Sequence, residues 1–215
     1  MATIAGYLAV LSHVPVGADR VALWRVADLE RHIDRAALLG AENPPEPPYW
    51  AHLWSGAAVL AEAMPEGART VLELGCGLGL PGLVAARRGA RVTFVDRAPA
   101  ALAFVRESAV ANGLVAVYLL AADCTTPAVA AQFDLILAAE LLYDRRAFGD
   151  LARAVGRSLA PGGRALFADA GRIDTRAFYD ALGVNGLTWR ATAHAVREEN
   201  LPLTVHLVEI THLQR

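Results

Sequence analysis

From residue 70 to residue 172, short, mainly apolar runs alternate with segments of helical period. The runs are VLEL at 71–74, VTFVD at 92–96, VAVYLLAADC at 115–124, FDLILAA at 133–139 and RALFADAGR at 164–172. Runs of this length suit strands buried on both faces, as in a parallel sheet sandwiched between helices. The helical segments are GLVAARRGA (82–90), RAPAALAFVRESAVANG (97–113) and FGDLARAVGRSLAPGG (148–163, the last four a turn), with one more from Asp174 to Gly183. The tail changes period: TWRATAHAV (188–196) and LPLTVHLVEITHL (201–213) alternate about REEN, which predicts an antiparallel hairpin finishing the sheet. Strand and helix alternate without an internal repeat, so one doubly wound α/β domain is expected.

Upstream the pattern weakens. Residues 1 to about 25 read as a loose strand or arm broken by Pro15 and Gly17. Asp28 is placed to cap a helix, ADLERHIDRAALLG, ending at Gly40. In AENPPEPPYW, Pro44, Pro45, Pro47 and Pro48 allow neither helix nor central strand, leaving a stiff extended connector. A helix is predicted over AHLWSGAAVLAEAM (51–64), with Trp50, Trp54, Ala57, Ala58 and Ala61 at helical spacing and Pro65 and Gly67 as its stop.

At 215 residues, 55% hydrophobic and 20% charged, the chain has the size and composition of one well-packed domain with an extension. No apolar run approaches the roughly 20 residues of a membrane span. The mildly apolar start lacks the basic region of a signal peptide. A net charge of −2 without a basic stripe argues against a nucleic-acid partner. Two cysteines, Cys76 and Cys124, fit a reducing, cytoplasmic compartment, and the six histidines show no metal-ligand spacing.

The candidate chemistry centres on VLELGCGLGLPG, residues 71–82. A strand leads into Gly75, Gly77 and Gly79, where side chains would obstruct a ligand, and Pro81 suits the first turn of a helix. Strand, glycine turn and helix make a nucleotide cradle. Gly77-x-Gly79-x-x-Gly82 also matches the dinucleotide fingerprint. Glu73 opposes that reading: an acid inside the first strand suits a ligand with a cationic amino-acid head and sits badly beside a pyrophosphate. Asp96 closes the next strand, where a carboxylate would hold ribose hydroxyls in either case. Asp123, at the end of the third strand, is placed to accept from an adenine amine.

E-x-G-x-G-x-G resembles the first motif of class I S-adenosylmethionine (SAM) methyltransferases. With LW-S-G before it, then VTFVD, FDLILAAELLY, LFADAGR and the hairpin, the chain from about Pro48 onward resembles the seven-β-strand protein-lysine methyltransferases and their bacterial relatives. The resemblance implies a 1–47 extension, a 48–215 catalytic domain and a Rossmann-like seven-stranded sheet of order 3-2-1-4-5-7-6 with strand seven antiparallel. It also implies that Trp54 touches the SAM tail, and that Glu73, Gly75, Cys76 and Gly77 line its amino-acid and ribose portion. Asp96, with Arg97 beside it, would bind the ribose, and Ala139 would face the cofactor. The acid-x-x-aromatic signature after the fourth strand stands here as Glu140-Leu-Leu-Tyr143. Three positions depart from the pattern: Glu140 replaces the more usual Asp, Cys124 stands where many relatives place a tryptophan against adenine, and Ala170 replaces a proline.

The implied reaction is in-line methyl transfer to a protein lysine amine, with Glu140 orienting the ammonium and Tyr143 walling the slot. The alternatives are a small-molecule N- or O-methyltransferase and a non-catalytic SAM-fold partner subunit, since fold alone does not name the acceptor. The chain contains no lysine, so all twenty basic residues are arginine and a lysine methyltransferase of this sequence has no internal lysine to modify.

Overall fold

The computed structural model describes residues 1–33, 46–126, 129–198 and 200–213. A seven-stranded sheet contains β4 (Thr70–Leu74), β5 (Arg91–Asp96), β6 (Val117–Ala121), β7 (Phe133–Ala139), β8 (Leu159–Asp169), β9 (Leu187–Glu198) and β10 (Leu201–His212). Its order is β6-β5-β4-β7-β8-β10-β9. The first five strands across the sheet pair in parallel, and β10 runs antiparallel to both neighbours. This is the expected 3-2-1-4-5-7-6 order with its closing hairpin.

Among the described residues five α-helices cover the faces: α1 (Ser55–Glu62), α2 (Leu80–Arg87), α3 (Pro99–Ala111), α4 (Phe148–Ser158) and α5 (Arg176–Val184). Because strand side chains alternate faces, β4 divides its apolar residues between two cores. Val71 packs in the core that includes residues of α1, α2 and α3, while Leu72 and Leu74 join that of α4 and α5. β7 divides likewise, Leu135 and Leu137 against Ile136 and Ala138. Burial on both faces explains why these strands lack polar alternation. The same parity puts Glu73 on the Val71 face, under α2.

β8 begins five residues before the predicted RALFADAGR. Phe133 pairs with Leu159 and Leu135 with Arg164, so the residues between, including Pro161, Gly162 and Gly163, are taken up as an irregularity within the strand. The hairpin is tight: Glu198 faces Leu201, and Asn200 has φ 69°.

The first 26 residues are more ordered than an arm. β1 (Ala2–Ile4), β2 (Tyr7–Val16) and β3 (Asp19–Val26) form an antiparallel meander. Pro15 is tolerated because β1 pairs only with residues 7–9 of β2, leaving that edge at Pro15 without a strand partner among the described residues. The meander docks on α3 through Asn112, whose Oδ1 accepts the Ala22 N–H at 3.1 Å, and Ser108, whose Oγ accepts the Trp24 N–H at 3.0 Å. Of the helix expected over 27–40, the described residues 27–33 hold a 3-10 turn at Leu29–His32 followed by an extended Ile33. The remainder of that segment and the connector's first prolines lie outside the described residues.

The helix expected at 51–64 is also shorter. Tyr49–Ala51 form a separate 3-10 turn and Trp54 is extended, so α1 starts at Ser55. Among the described residues no helix is long and apolar enough to cross a membrane.

Candidate active site

The carboxyl ends of β4, β5 and β7 meet at the glycine turn. Gly75, Gly77 and Gly79 have φ of 58°, 51° and 73°, a left-handed run that glycine adopts without a Cβ clash. The turn is closely covered. A Cβ at Gly75 would lie 2.6 Å from Leu141 Cδ1, and one at Gly77 would lie 2.9 Å from the Trp50 carbonyl oxygen. Cys76 donates its N–H to the Val95 carbonyl at 3.0 Å, and burial pushes its thiol well above the usual range, so it lines the turn as a neutral group.

Glu73 is buried beneath this turn, not on its open side. Its Oε2 accepts the Gly82 N–H at 3.0 Å, and burial pushes the carboxyl up to about 8, with the Gly82 bond opposing and the Asp96 charge adding to the shift. The acid that the sequence suggests as a ligand contact is thus placed as the support on which α2 begins.

Asp96 ties the turn to β5. Its Oδ2 accepts the Gly77 N–H at 2.9 Å and its Oδ1 the Ala98 N–H at 2.9 Å; burial raises its carboxyl against these bonds and the charge of Arg97. Arg97 is exposed and ion-paired with Glu46. Asp123 is exposed, and its Oδ1 accepts the N–H and hydroxyl of Thr125 at 2.8 and 2.7 Å, which holds its carboxyl below the usual range. Burial pushes the Cys124 thiol up to about 11. Burial also raises the Tyr143 hydroxyl; the charge of Arg97 opposes this, while Cys124, Glu46 and Asp96 add to it. Asp96, Arg97, Asp123, Cys124 and Tyr143 therefore form one neighbourhood at the ends of β5 and β6.

Glu140 belongs to a second neighbourhood. It leaves β7 at φ 52°, rare for a residue with a Cβ, with its N–H donating to the Ala168 carbonyl at 2.8 Å. Its side chain is 6% exposed; Oε2 accepts the Ala170 N–H at 3.3 Å and lies 3.5 Å from Arg172 Nε. Oε1 is buried with no partner of hydrogen-bonding geometry among the described residues, and a Cβ at Gly56 would lie 2.7 Å from it. Burial raises this carboxyl, with the Arg172 charge as the main opposing influence. Arg172 Nη2 donates to Glu198 Oε2 at 2.7 Å, and Glu198 Oε1 accepts the Ser55 hydroxyl at 3.2 Å. The guanidinium lies 5.0 Å from the centroid of the Trp54 ring, whose Nε1–H donates to the Tyr49 carbonyl at 3.1 Å.

The Glu140–Tyr143 segment therefore straddles the mouth of the glycine turn. Glu140 goes to α1 and Arg172, Leu141 reaches over Gly75, Leu142 is buried in the α4 core and Tyr143 stands near Arg97. Ala139, half-buried, ends β7 between the two neighbourhoods. Sequence reasoning missed Arg172, Glu198, Trp50 and Leu141. Arg172 lay in plain view in the polar exit of the fifth strand, but Glu198 is 26 residues away from it, and nothing local joins them.

Comparison with known proteins bears on the domain and its fold. Residues 71–163 match a family described as a methyltransferase domain, a span reaching from β4 into β8. The ubiquinone biosynthesis O-methyltransferase of Methylocella silvestris is 36% identical over 107 residues, covering 50% of this chain and 41% of the relative. The mouse protein N-lysine methyltransferase METTL21A is 35% identical over 118 residues, covering 49% and 54% respectively. The ribosomal protein L11 methyltransferase of Dechloromonas aromatica is 40% identical over 96 residues, covering 44% and 30%. The matches span about half the length of these curated relatives, or less. The N-methyltransferase NodS of Bradyrhizobium japonicum, solved with S-adenosyl-L-homocysteine, shares the fold with a TM-score of 0.59 at 21% identity, over 87% of this chain and 97% of its own.

Proposed function

We propose that this chain, which carries a class I SAM-dependent methyltransferase domain, transfers a methyl group from SAM to a lysine side chain of a protein. The observation that carries the reading is Glu140: a carboxylate at the carboxyl end of β7, near-fully buried, with one oxygen that accepts no hydrogen bond of good geometry, close to the aromatic face of Trp54 through Arg172.

The residues fit the cofactor. Gly75 and Gly77 hold the turn in its left-handed course and let Leu141 and the Trp50 carbonyl close against it. Asp96 uses one hydrogen bond per oxygen on the turn, and a carboxylate oxygen can accept a second, here from ribose hydroxyls. Asp123 would meet the adenine amine, Cys124, Arg97 and Tyr143 would flank the nucleoside, and Trp54, Ala139 and the Cys76 backbone would bound the amino-acid end. Bound SAM supplies an electrophilic sulfonium methyl.

This chain's own contribution is positioning. Holding donor and acceptor collinear in a dry slot accounts for most of the acceleration expected of such a site. A lysine amine, with a pKa of about 10.4, must lose its proton before attack. A carboxylate alongside favours the ammonium form, so Glu140 is an orienting group and not the base. Leu141 and Trp50 already cover part of the glycine turn.

A second reading, a small-molecule methyltransferase, draws on the 36% identity to a ubiquinone biosynthesis O-methyltransferase. Incubation with methyl-labelled SAM and a bacterial lysate separates the two. Label on one or a few protein bands, recovered as methyl-lysine, is the expected result; label confined to the low-molecular-weight fraction would overturn the lysine reading. The enzyme's own band gives a clean background, because its sequence has no lysine.

A further inference from the structure

The acceptor side of the site already holds a cation. Arg172 spans two carboxylates from distant strands, Glu140 after β7 and Glu198 in β9, and lies over the Trp54 ring. Two carboxylates and an aromatic face are the complement an alkylammonium requires. The position is built. Asp169 Oδ1 accepts the Gly171 N–H at 2.8 Å, holding the turn that carries Arg172, and Glu198 is itself anchored on Ser55 at the start of α1. Glu140 Oε1 faces the Gly56 backbone without a hydrogen bond of good geometry, so the guanidinium holds this carboxylate through Oε2 alone.

We propose that Arg172 is a specificity-determining residue that occupies the acceptor's cation position and excludes free amines from it. The inference rests on the lysine-acceptor reading and adds the substrate class that can enter. Arg172 is tethered to the chain, so its effective concentration at the two carboxylates is millimolar or higher, and a free amine must compete with that. A lysine carried on a docked protein is not limited in this way, because contacts elsewhere on its surface add to the competition. Such a lysine takes the place of the guanidinium on Glu140, and Arg172, whose side chain is 43% exposed, retains Glu198 or swings to solvent. No bond is made or broken in this exchange; one hydrogen-bonded cation replaces another.

The probe is n-butylammonium, the end of a lysine side chain without a protein attached, read by thermal shift with S-adenosylhomocysteine present. Wild type should show no saturable binding at about 10 mM, in keeping with the tethered competitor. R172Q and R172M should bind it about tenfold more tightly or better, and R172K, which keeps a tethered cation, should behave like wild type. Retention of the S-adenosylhomocysteine shift reports that each variant is folded, and the result is taken from whichever of R172Q and R172M retains it. Butylammonium affinity unchanged in that variant would overturn the proposal, as would saturable binding by wild type. A lysate in which no protein takes label, together with the gain in R172Q, would instead defeat the lysine reading and leave the cation position standing.

Discussion

A Cβ added at Gly82 would lie 2.3 Å from Glu73 Oε2, the oxygen that accepts the Gly82 N–H at 3.0 Å. The same Cβ would lie 2.4 Å from Phe94 Cε1. Strand β4, strand β5 and helix α2 thus meet at one position where only glycine fits, and the third glycine of the motif is a packing requirement before it is a ligand requirement. Gly82→Ala should destabilise by about 1–3 kcal/mol, the usual cost of overpacking a tight core. Urea denaturation checks this; an unchanged midpoint would mean that the α2 start yields more readily than its contacts indicate.

Stability should depend on pH through the same contact. The Glu73 carboxyl stands at about 8 in the folded chain against an ordinary 4.5. Between these values the native state holds a proton that the unfolded state has released, so stability is full below about pH 4.5 and falls as pH rises through 8. Asp96, Glu140 and Asp169 are raised in the same direction, so the wild-type slope is a sum. Glu73→Gln keeps an acceptor for Gly82 and removes one titration. Its urea midpoint should fall less steeply than wild type from pH 5 to pH 8, the difference reaching a few kcal/mol at most. Parallel profiles would show that Glu73 does not titrate in this window.

These contacts separate what could be read in the sequence from what could not. The parallel strands were legible because burial on both faces removes polar residues from the runs, and Asp96 and Glu140 mark where two of them emerge. The hairpin was legible from its alternation. The meander was not, since Pro15 reads as a breaker until the pairing of β2 among the described residues is known. Trp54 has helical spacing yet is extended, because its indole donates back to Tyr49 while the chain turns. Candidate site residues could be named, but not the direction each side chain takes. Parity along β4 placed Glu73 under α2, and a left-handed Glu140 turned its carboxylate toward α1. The Arg172–Glu198 pair joins the turn after β8 to the tip of a hairpin, a relation only the folded chain contains.

Cofactor binding gives the next test. S-adenosylhomocysteine should raise the melting temperature and NAD should not, following the population argument for any ligand selective for the native state. Asp96→Ala removes the acceptors for the Gly77 and Ala98 N–H groups together with those offered to a ribose. The ligand-free protein should lose about 1–3 kcal/mol and the S-adenosylhomocysteine shift should largely vanish. A shift with NAD and none with S-adenosylhomocysteine would overturn the assignment.

Nucleic acid should not bind. The chain carries 20 arginines against 22 acids, and salt-dependent association needs clustered cations to displace condensed counterions. Submicromolar retention of tRNA or rRNA on a filter at physiological salt would reopen a nucleic-acid acceptor.

The acceptor slot itself is tested through Glu140 and Tyr143, which the fold assigns to different neighbourhoods. Glu140→Gln removes the charge but keeps the size, so affinity for S-adenosylhomocysteine should persist while single-turnover methyl transfer drops by about 10²-fold, a typical positioning loss. Glu140→Asp should retain more activity than Gln, because it keeps the charge and because Asp tolerates the left-handed backbone at φ 52° better than most residues. Tyr143→Phe should behave differently. Its hydroxyl lies in the field of Arg97, Cys124, Glu46 and Asp96, so its loss should weaken S-adenosylhomocysteine binding more than it slows the transfer step. The measurement is single-turnover transfer to the protein identified by lysate labelling, with S-adenosylhomocysteine affinity taken in parallel. Wild-type transfer by Glu140→Gln would remove the orienting role and favour a small-molecule acceptor. A slowed transfer step in Tyr143→Phe, at unchanged affinity, would place the hydroxyl on the amine and bring the two halves of the Glu140–Tyr143 segment back into one slot.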